Sequence, residues 1–345
     1  MKAVIFGCAG VQLTAEERAF FEDVQPWGFI LFARNCESPA QIRALTEELR
    51  ATIKRKDAPI LIDQEGGRVA RLKPPFWRAR PPMDRFGALY EISPQKGKEA
   101  AFLGSRLMAE DLGRLGINVN CVPILDVPHE GAHDIIGDRA LAKSAGDIAV
   151  LGGAVMAGSI AGGALPIIKH IPGHGRALAD SHLELPIVDA DLDHLRAVDF
   201  APFKALNQAP MAMTAHVVYS AIDKTAPATV SGKLITQIIR GEIGFDGLLM
   251  SDDLSMKALQ GSFAERSEAV LKAGCDMLLH CNGDMVEMQE IAGAAIALEG
   301  KAARRAEAAL ALLADRNQAD FDQERQEAHY ARLLEPVFPE LTVSL

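Results

Sequence analysis

The sequence has no cluster of basic residues, no apolar stretch of membrane-spanning length, no paired cysteines and no complete glycine fingerprint for a dinucleotide. Each absence removes a class of function. The 345 residues carry 36 Lys and Arg against 46 Asp and Glu, a formal charge of −10. A nucleic-acid backbone or an anionic membrane surface is held by clustered cations, so neither is an expected partner. No apolar run approaches the roughly 20 residues that cross a bilayer. The opening MKAVIFGCAGVQLT offers one lysine and a short apolar run ending at Gly7, too little for a secretory signal, so the expected location is cytoplasmic. Cys8, Cys36, Cys121, Cys275 and Cys281 are scattered, without CxxC or metal-ligand spacing, and read as reduced, buried thiols in a protein needing no metal or other cofactor. Gly7-Cys8-Ala9-Gly10 lacks the third glycine of a dinucleotide turn. There are no repeats and no boundary in composition. One domain over 1–345 is expected, with a C-terminal helical extension from about residue 285.

What is present is ordinary globular material, 49% hydrophobic and 24% charged, ample for a core. Short apolar runs alternate with longer amphipathic ones to about residue 315, the pattern of parallel βα units. Strands are predicted at 3–6, 29–32, 60–63, 117–121, 166–169, 212–216, 248–251 and 277–280. Eight such units predict an α/β fold of the (β/α)8 TIM-barrel type, with an open doubly wound sheet as the rival. Between them, 99–115 carries Leu103, Leu107, Met108, Leu112 and Leu115 at helical spacing and should stop at Gly116. The stretch 74–94, with five prolines plus Phe76, Trp77 and Phe86, reads as an ordered loop or lid over the barrel. The charged segment reaching Glu327 reads as a surface helix.

Several strands run directly into polar residues. Asp63-Gln64-Glu65 follows the third, Lys169-His170 ends the fifth, Thr214 and His216 lie in the sixth, and Ser251-Asp252-Asp253 ends the seventh. In a (β/α)8 barrel the C-terminal strand ends form the active-site face. The densest stretch is PIIKHIPGHGRALADSHLELP at 166–186, where Lys169, His170, His174, Asp180 and His182 crowd into a loop that Pro172, Gly173 and Gly175 keep from becoming helix. A carboxylate beside arginines, as in DQEGGRVAR at 63–71, can accept hydrogen bonds from vicinal sugar hydroxyls. Side chains alternate along a strand, so only one of Asp252 and Asp253 can address a site.

DQEGGRVAR at 63–71, KHIPGHG at 169–175, DSH at 180–182 and SDDLSM at 251–256 occur in the order found in bacterial β-N-acetylglucosaminidases of glycoside hydrolase family 3, which the chain resembles. GFILFARN at 28–35 and IGDRA at 136–140 extend the likeness, which runs to about Asn282 and points to the single-domain type of peptidoglycan recycling. The resemblance implies a retaining mechanism with Asp252 as nucleophile and His182, oriented by Asp180, as proton donor and acceptor. It also implies that Asp63, Arg71, Arg139, Lys169 and His170 hold the N-acetylglucosamine ring, with His174 in support behind them. The implied substrate is a small muropeptide sugar, cut at a terminal β-1,4-linked N-acetylglucosamine next to 1,6-anhydro-N-acetylmuramic acid, by a monomer. Ala140-Leu141-Ala142 and Ile171 depart from the family pattern at the sugar pocket. Two alternatives stand beside this reading: a metal-dependent barrel hydrolase using His170, His174, His182 and Asp252, and a catalytically silent sugar-binding protein.

Overall fold

A parallel strand covered by helices on one side and packed against its own sheet on the other is buried on both faces, and here nearly every strand residue is apolar. The computed structural model describes residues 1–181, 183–314 and 321–340. Its strands in chain order are β1 Lys2–Phe6, β2 Pro26–Leu31, β3 Ile60–Ile62, β4 Val119–Asn120, β5 Leu165–Ile171, β6 Ile187–Val188, β7 Met211–Thr214, β8 Val218–Tyr219, β9 Leu248–Asp253 and β10 Met277–His280. Eight of them close into a parallel barrel in the order β1-β10-β9-β7-β5-β4-β3-β2, while β6 and β8 form a small separate parallel pair. Closure excludes the open-sheet alternative. The eight barrel strands are those expected from sequence, although only Val119–Asn120 of 117–121 is strand.

Alternation along the strands separates two apolar clusters. Ile5, Leu61, Ile167, Met213, Met250 and Leu279 point into the barrel, while Phe6, Ile62, Ile168, Ala212, Leu249 and Leu278 face the surrounding helices. Helix Gly300–Ala314 closes the inner cluster at the N-terminal strand ends, where Ala306 and Ala309 join it. The opposite end, where the strands finish in polar residues, is left for a site. No helix among the described residues is long and apolar enough to cross a membrane.

The helix expected at 99–115 spans Pro94–Gly113, and Gly116 at φ +77° makes the left-handed turn toward β4. Three expectations need correction or completion. The stretch 74–94 is ordered but is not a lid, since Asp84–Ile92 is a helix that buries Phe86 and Leu89 against the flank, and no residue of the stretch lines the cavity at the C-terminal strand ends. The helix reaching Glu327 lies at the surface as expected, with Glu324 and Arg325 exposed, but it buries one face. Gln323–Leu334 buries Tyr330, Leu333 and Leu334, and Glu327 pairs with buried Arg80 through bonds of 2.6 and 2.8 Å. Leu333 and Leu334 lie beyond the charged run, where a reading that stops at Glu327 misses them. All five cysteines are free, and Cys36 is half-buried rather than buried.

Candidate active site

The site begins at the turn after β3. Gly66 and Gly67 both take positive φ, and a Cβ on either would collide with Pro81 or Pro82, so the chain can reverse there only with glycine. Gln64 then staples the reversed chain, its Oε1 accepting from the N–H groups of Arg71 and Leu72. This brings Arg71 back over the strand end, where its Nη2 donates to Asp63 Oδ2 at 3.1 Å. Lys169, near the end of β5, donates to Asp63 Oδ1 and lies equally close to Glu65 Oε1, 2.8 Å from each. Arg139 holds Glu65 through two parallel bonds of 2.9 Å.

The result is a ring of two carboxylates and three cations. Burial pushes Asp63 and Glu65 toward the neutral form, but the adjacent Lys169, with Arg71 on Asp63 and Arg139 on Glu65, outweighs it and holds both carboxyls below the usual range. Lys169 and Arg139 are correspondingly held charged: burial acts against them, and Asp63 and Glu65 overcome it for Lys169, as Glu65 does for Arg139. Such a ring presents fixed acceptors and donors to a hydroxylated ligand.

A second network lies behind β5. Asp126 is fully buried and accepts from His170 Nδ1 at 2.7 Å and from the backbone N–H of both His170 and His174. Burial would raise its pKa, yet the two histidines lower it. A carboxylate only accepts, so His170 carries its proton on Nδ1 and turns Nε2 the other way. His174 Nε2 meets Ser181 Oγ at 3.1 Å, and burial together with nearby His170 lowers the His174 pKa to about 4. Gly175 is required where the loop crosses the β4 side, because a Cβ there would lie 1.8 Å from the Val127 carbonyl oxygen.

The two aspartates ending β9 are separated by their surroundings. Asp253 accepts from Ser255 N–H, Ser255 Oγ and Cys281 N–H, while its carbonyl takes a bond from His216 Nε2. Asp253 lines the cavity beside Asp252, against the expectation that alternation admits only one of the two, but its carboxylate is committed to the loop. Asp252 Oδ1 accepts from Asp253 N–H at 2.8 Å, and the residue lines the cavity wall.

That cavity encloses about 190 Å³ at the C-terminal strand ends. Asp63, Arg71, Arg139, Lys169, His170 and Asp252 all line it, with apolar walls from Phe32, Met213, Met256 and Leu279. Ser181 reaches it from the loop after β5, whereas half-buried Asp180 does not line it. His182 lies outside the described residues. Thr214 and His216 are not part of the wall: both bond Thr229 Oγ1 and brace the end of β7. A larger cavity of about 460 Å³ lies at the barrel base, but its Arg305 is already neutralised by Asp246 and Asp276.

Two residues of the ring and its support were not singled out in the sequence. Glu65 was read only as part of its motif. Asp126 carries one signal in the sequence, a carboxylate interrupting the apolar run CVPILDV at 121–127.

A closed (β/α)8 barrel with a charged, sugar-sized site at the C-terminal strand ends defines the class of barrel enzymes. Residues 3–312 match the glycosyl hydrolase family 3 N terminal domain. The chain is 40% identical over 280 residues to a beta-hexosaminidase of Thiobacillus denitrificans, covering 79% of this chain and 76% of that one. It is 34% identical to NagZ from Neisseria gonorrhoeae, whose structure was solved in complex with N-trifluoroacetyl-D-glucosamine, with a TM-score of 0.84 and coverage of 96% and 98%. A family 3 beta-N-acetylglucosaminidase from Paenibacillus sp. superposes with a TM-score of 0.83 at 27% identity, covering 96% of this chain and 66% of that longer one. The chain belongs to glycosyl hydrolase family 3, as a glycoside hydrolase of the β-N-acetylhexosaminidase type.

Proposed function

We propose that the protein is a retaining exo-β-N-acetylglucosaminidase that removes terminal β-1,4-linked N-acetylglucosamine from peptidoglycan fragments ending in 1,6-anhydro-N-acetylmuramic acid, with or without peptide. It acts as a cytoplasmic monomer on diffusible sugars. Asp63 accepts from vicinal hydroxyls of the ring, Arg71, Lys169 and Arg139 donate, and His170 offers Nε2. The observation that supports this most is that Asp252 and the Asp63–Lys169 pair border one cavity, where Asp253, which also lines the wall, spends its carboxylate on Ser255 and the Cys281 N–H.

In the first step an Asp252 oxygen attacks the anomeric carbon, the glycosidic C–O bond breaks, and protonated His182 gives its proton to the departing oxygen. In the second, His182 takes a proton from water, whose oxygen attacks the same carbon and releases Asp252. Retaining glycosidases generally use two carboxyl groups for these roles. Histidine can replace the second because its reference pKa of about 6.5 suits proton transfer near neutrality, and Asp180 two residues away can orient the ring.

A panel of aryl glycosides differing at the 2-position tests the specificity. The N-acetylglucosaminide should be cleaved best, and a better substrate lacking the acetamido group would reject the assignment. Trapping with a 2-deoxy-2-fluoro sugar should place the label on Asp252. A label elsewhere would reject that residue as nucleophile.

A further inference from the structure

The loop after β5 changes character at Ala177. Its first half is tied down at several points: Asp126 accepts from His174 N–H, Tyr219 Oη donates to the Gly173 carbonyl, and His133 N–H donates to the Ala177 carbonyl. Arg176 adds a charged tie, its Nε donating to Asp199 Oδ2 at 2.7 Å. The residues just beyond are different. Leu178 and Leu183 are 71% and 65% exposed, and between them lies Asp180.

Asp199 is a deliberate-looking anchor in physical terms. Its side chain is 1% exposed, and its Oδ1 lies 3.3 Å from His129 Nε2. Three separate segments therefore meet on one carboxylate: the chain after β4 through His129, the loop after β5 through Arg176, and the helical turn Leu195–Asp199. A buried carboxylate is costly without partners, so removing Arg176 would leave an ill-compensated charge under the loop. The fit is also tight in the backbone, since a Cβ on Gly173 would come within 3.1 Å of the Asp199 carbonyl oxygen. None of the three residues lines the sugar cavity, so none is placed to touch the ring.

We propose that Arg176, Asp199 and His129 are positioning residues, a clamp that fixes the root of the loop so that the Asp180–His182 pair is presented to the glycosidic oxygen. This rests on the reading of His182 as the acid. Proton donation requires hydrogen-bond reach, and a displacement of about 1 Å can cost a reaction roughly 10²-fold. A loop released from Asp199 would keep its catalytic groups and lose their register.

The clamp has a signature that general destabilisation lacks. A sugar alkoxide needs a proton as it leaves, whereas a nitrophenolate departs readily without one, so loosening the acid should hurt a disaccharide selectively. The experiment measures kcat/KM on an N-acetylglucosaminyl disaccharide and on 4-nitrophenyl N-acetylglucosaminide, for wild type, Arg176→Ala, Arg176→Lys, Asp199→Asn and His182→Ala. Melting temperature and the Ki of N-acetylglucosamine are recorded for each. Arg176→Ala should lose roughly 10-fold or more on the disaccharide, part of the 10² to 10⁴ that a general acid supplies, while losing under about 3-fold on the aryl glycoside. Its Ki should stay unchanged. Arg176→Lys should recover much of the loss, and Asp199→Asn should resemble Arg176→Ala.

Equal losses on both substrates, or none, in Arg176→Ala and Asp199→Asn would overturn the clamp while His182→Ala still discriminates between them. If His182→Ala itself fails to discriminate, the acid assignment is wrong and the clamp falls with it. Should Arg176→Ala not fold, Arg176→Lys and Asp199→Asn decide the matter on the same two substrates.

Discussion

Asp252 and Asp253 are the same residue type at adjacent positions, and only their surroundings assign them different work. The Asp253 carboxylate is held by Ser255 and by the backbone N–H of Cys281. Both aspartates border the cavity, but the Asp252 Oδ1 bond is to the next backbone N–H along the chain rather than to a loop side chain. Asp252→Asn should therefore lower kcat by several orders of magnitude, because a carboxamide does not form the glycosyl ester, while the Ki of N-acetylglucosamine changes little. Substantial turnover by the pure variant would remove Asp252 as nucleophile. The charged ring makes a separate claim about binding. Asp63→Ala or Arg71→Ala deletes charge-assisted hydrogen bonds of about 1.5 to 3 kcal/mol each, which should raise that Ki by roughly 10-fold or more. A Ki within twofold of wild type would show that the residue does not hold the sugar. Asp63, Lys169 and Asp252 were legible in the sequence because each is a polar residue at the end of an apolar strand. Glu65 and Asp126 were not, since their partners Arg139 and His170 lie 74 and 44 residues away and nothing local pairs them.

At the scale of elements, the eight barrel strands could be read from apolar runs because burial on both faces leaves no alternation to confuse the pattern. The helices of the flank were harder. Gln323–Leu334 is rich in charge, and its burial depends on Arg80, 247 residues earlier, which forks onto both Glu327 oxygens and also bonds Asp111 Oδ2 at 2.9 Å. Side-chain exposures of 3% and 6% for Arg80 and Glu327 put this pair in the interior, where breaking one partner costs about 3 to 5 kcal/mol. Glu327→Ala should lower the unfolding free energy by about that much. Replacing both residues by apolar ones of similar volume should recover most of it, because the buried charges go together and Asp111, 22% exposed, keeps its bond from Gln323 and its contact with water. Urea unfolding of the single and double variants checks both statements, and a Glu327→Ala protein as stable as wild type would show that the terminal helix does not depend on the pair.

At the scale of the whole molecule, the buried histidines and carboxylates divide the pH axis into two windows. His174 is lowered to about 4 by burial and by His170, and His129 and His216 are lowered in the same direction by burial. In the unfolded chain each titrates near 6.5. Between those values the unfolded state binds the proton and the folded state does not, so stability is full above about pH 6.5 and declines as the pH falls. For His174 alone the loss should be about 2 kcal/mol by pH 5. Asp63, Glu65 and Asp126 have the opposite dependence on charge but the same consequence at a lower pH: their folded-state pKa values lie below the unfolded ones, so their contribution is intact above about pH 4 and is lost only below it. Between pH 7 and pH 5 the decline should therefore belong to the histidines. Unfolding free energies measured across that interval should fall for wild type and fall less for His174→Asn, which has no proton to gain. An identical slope in the variant would mean that His174 takes up its proton over the same pH interval folded as unfolded, and an imidazole kept neutral beside Ser181 would have to be abandoned.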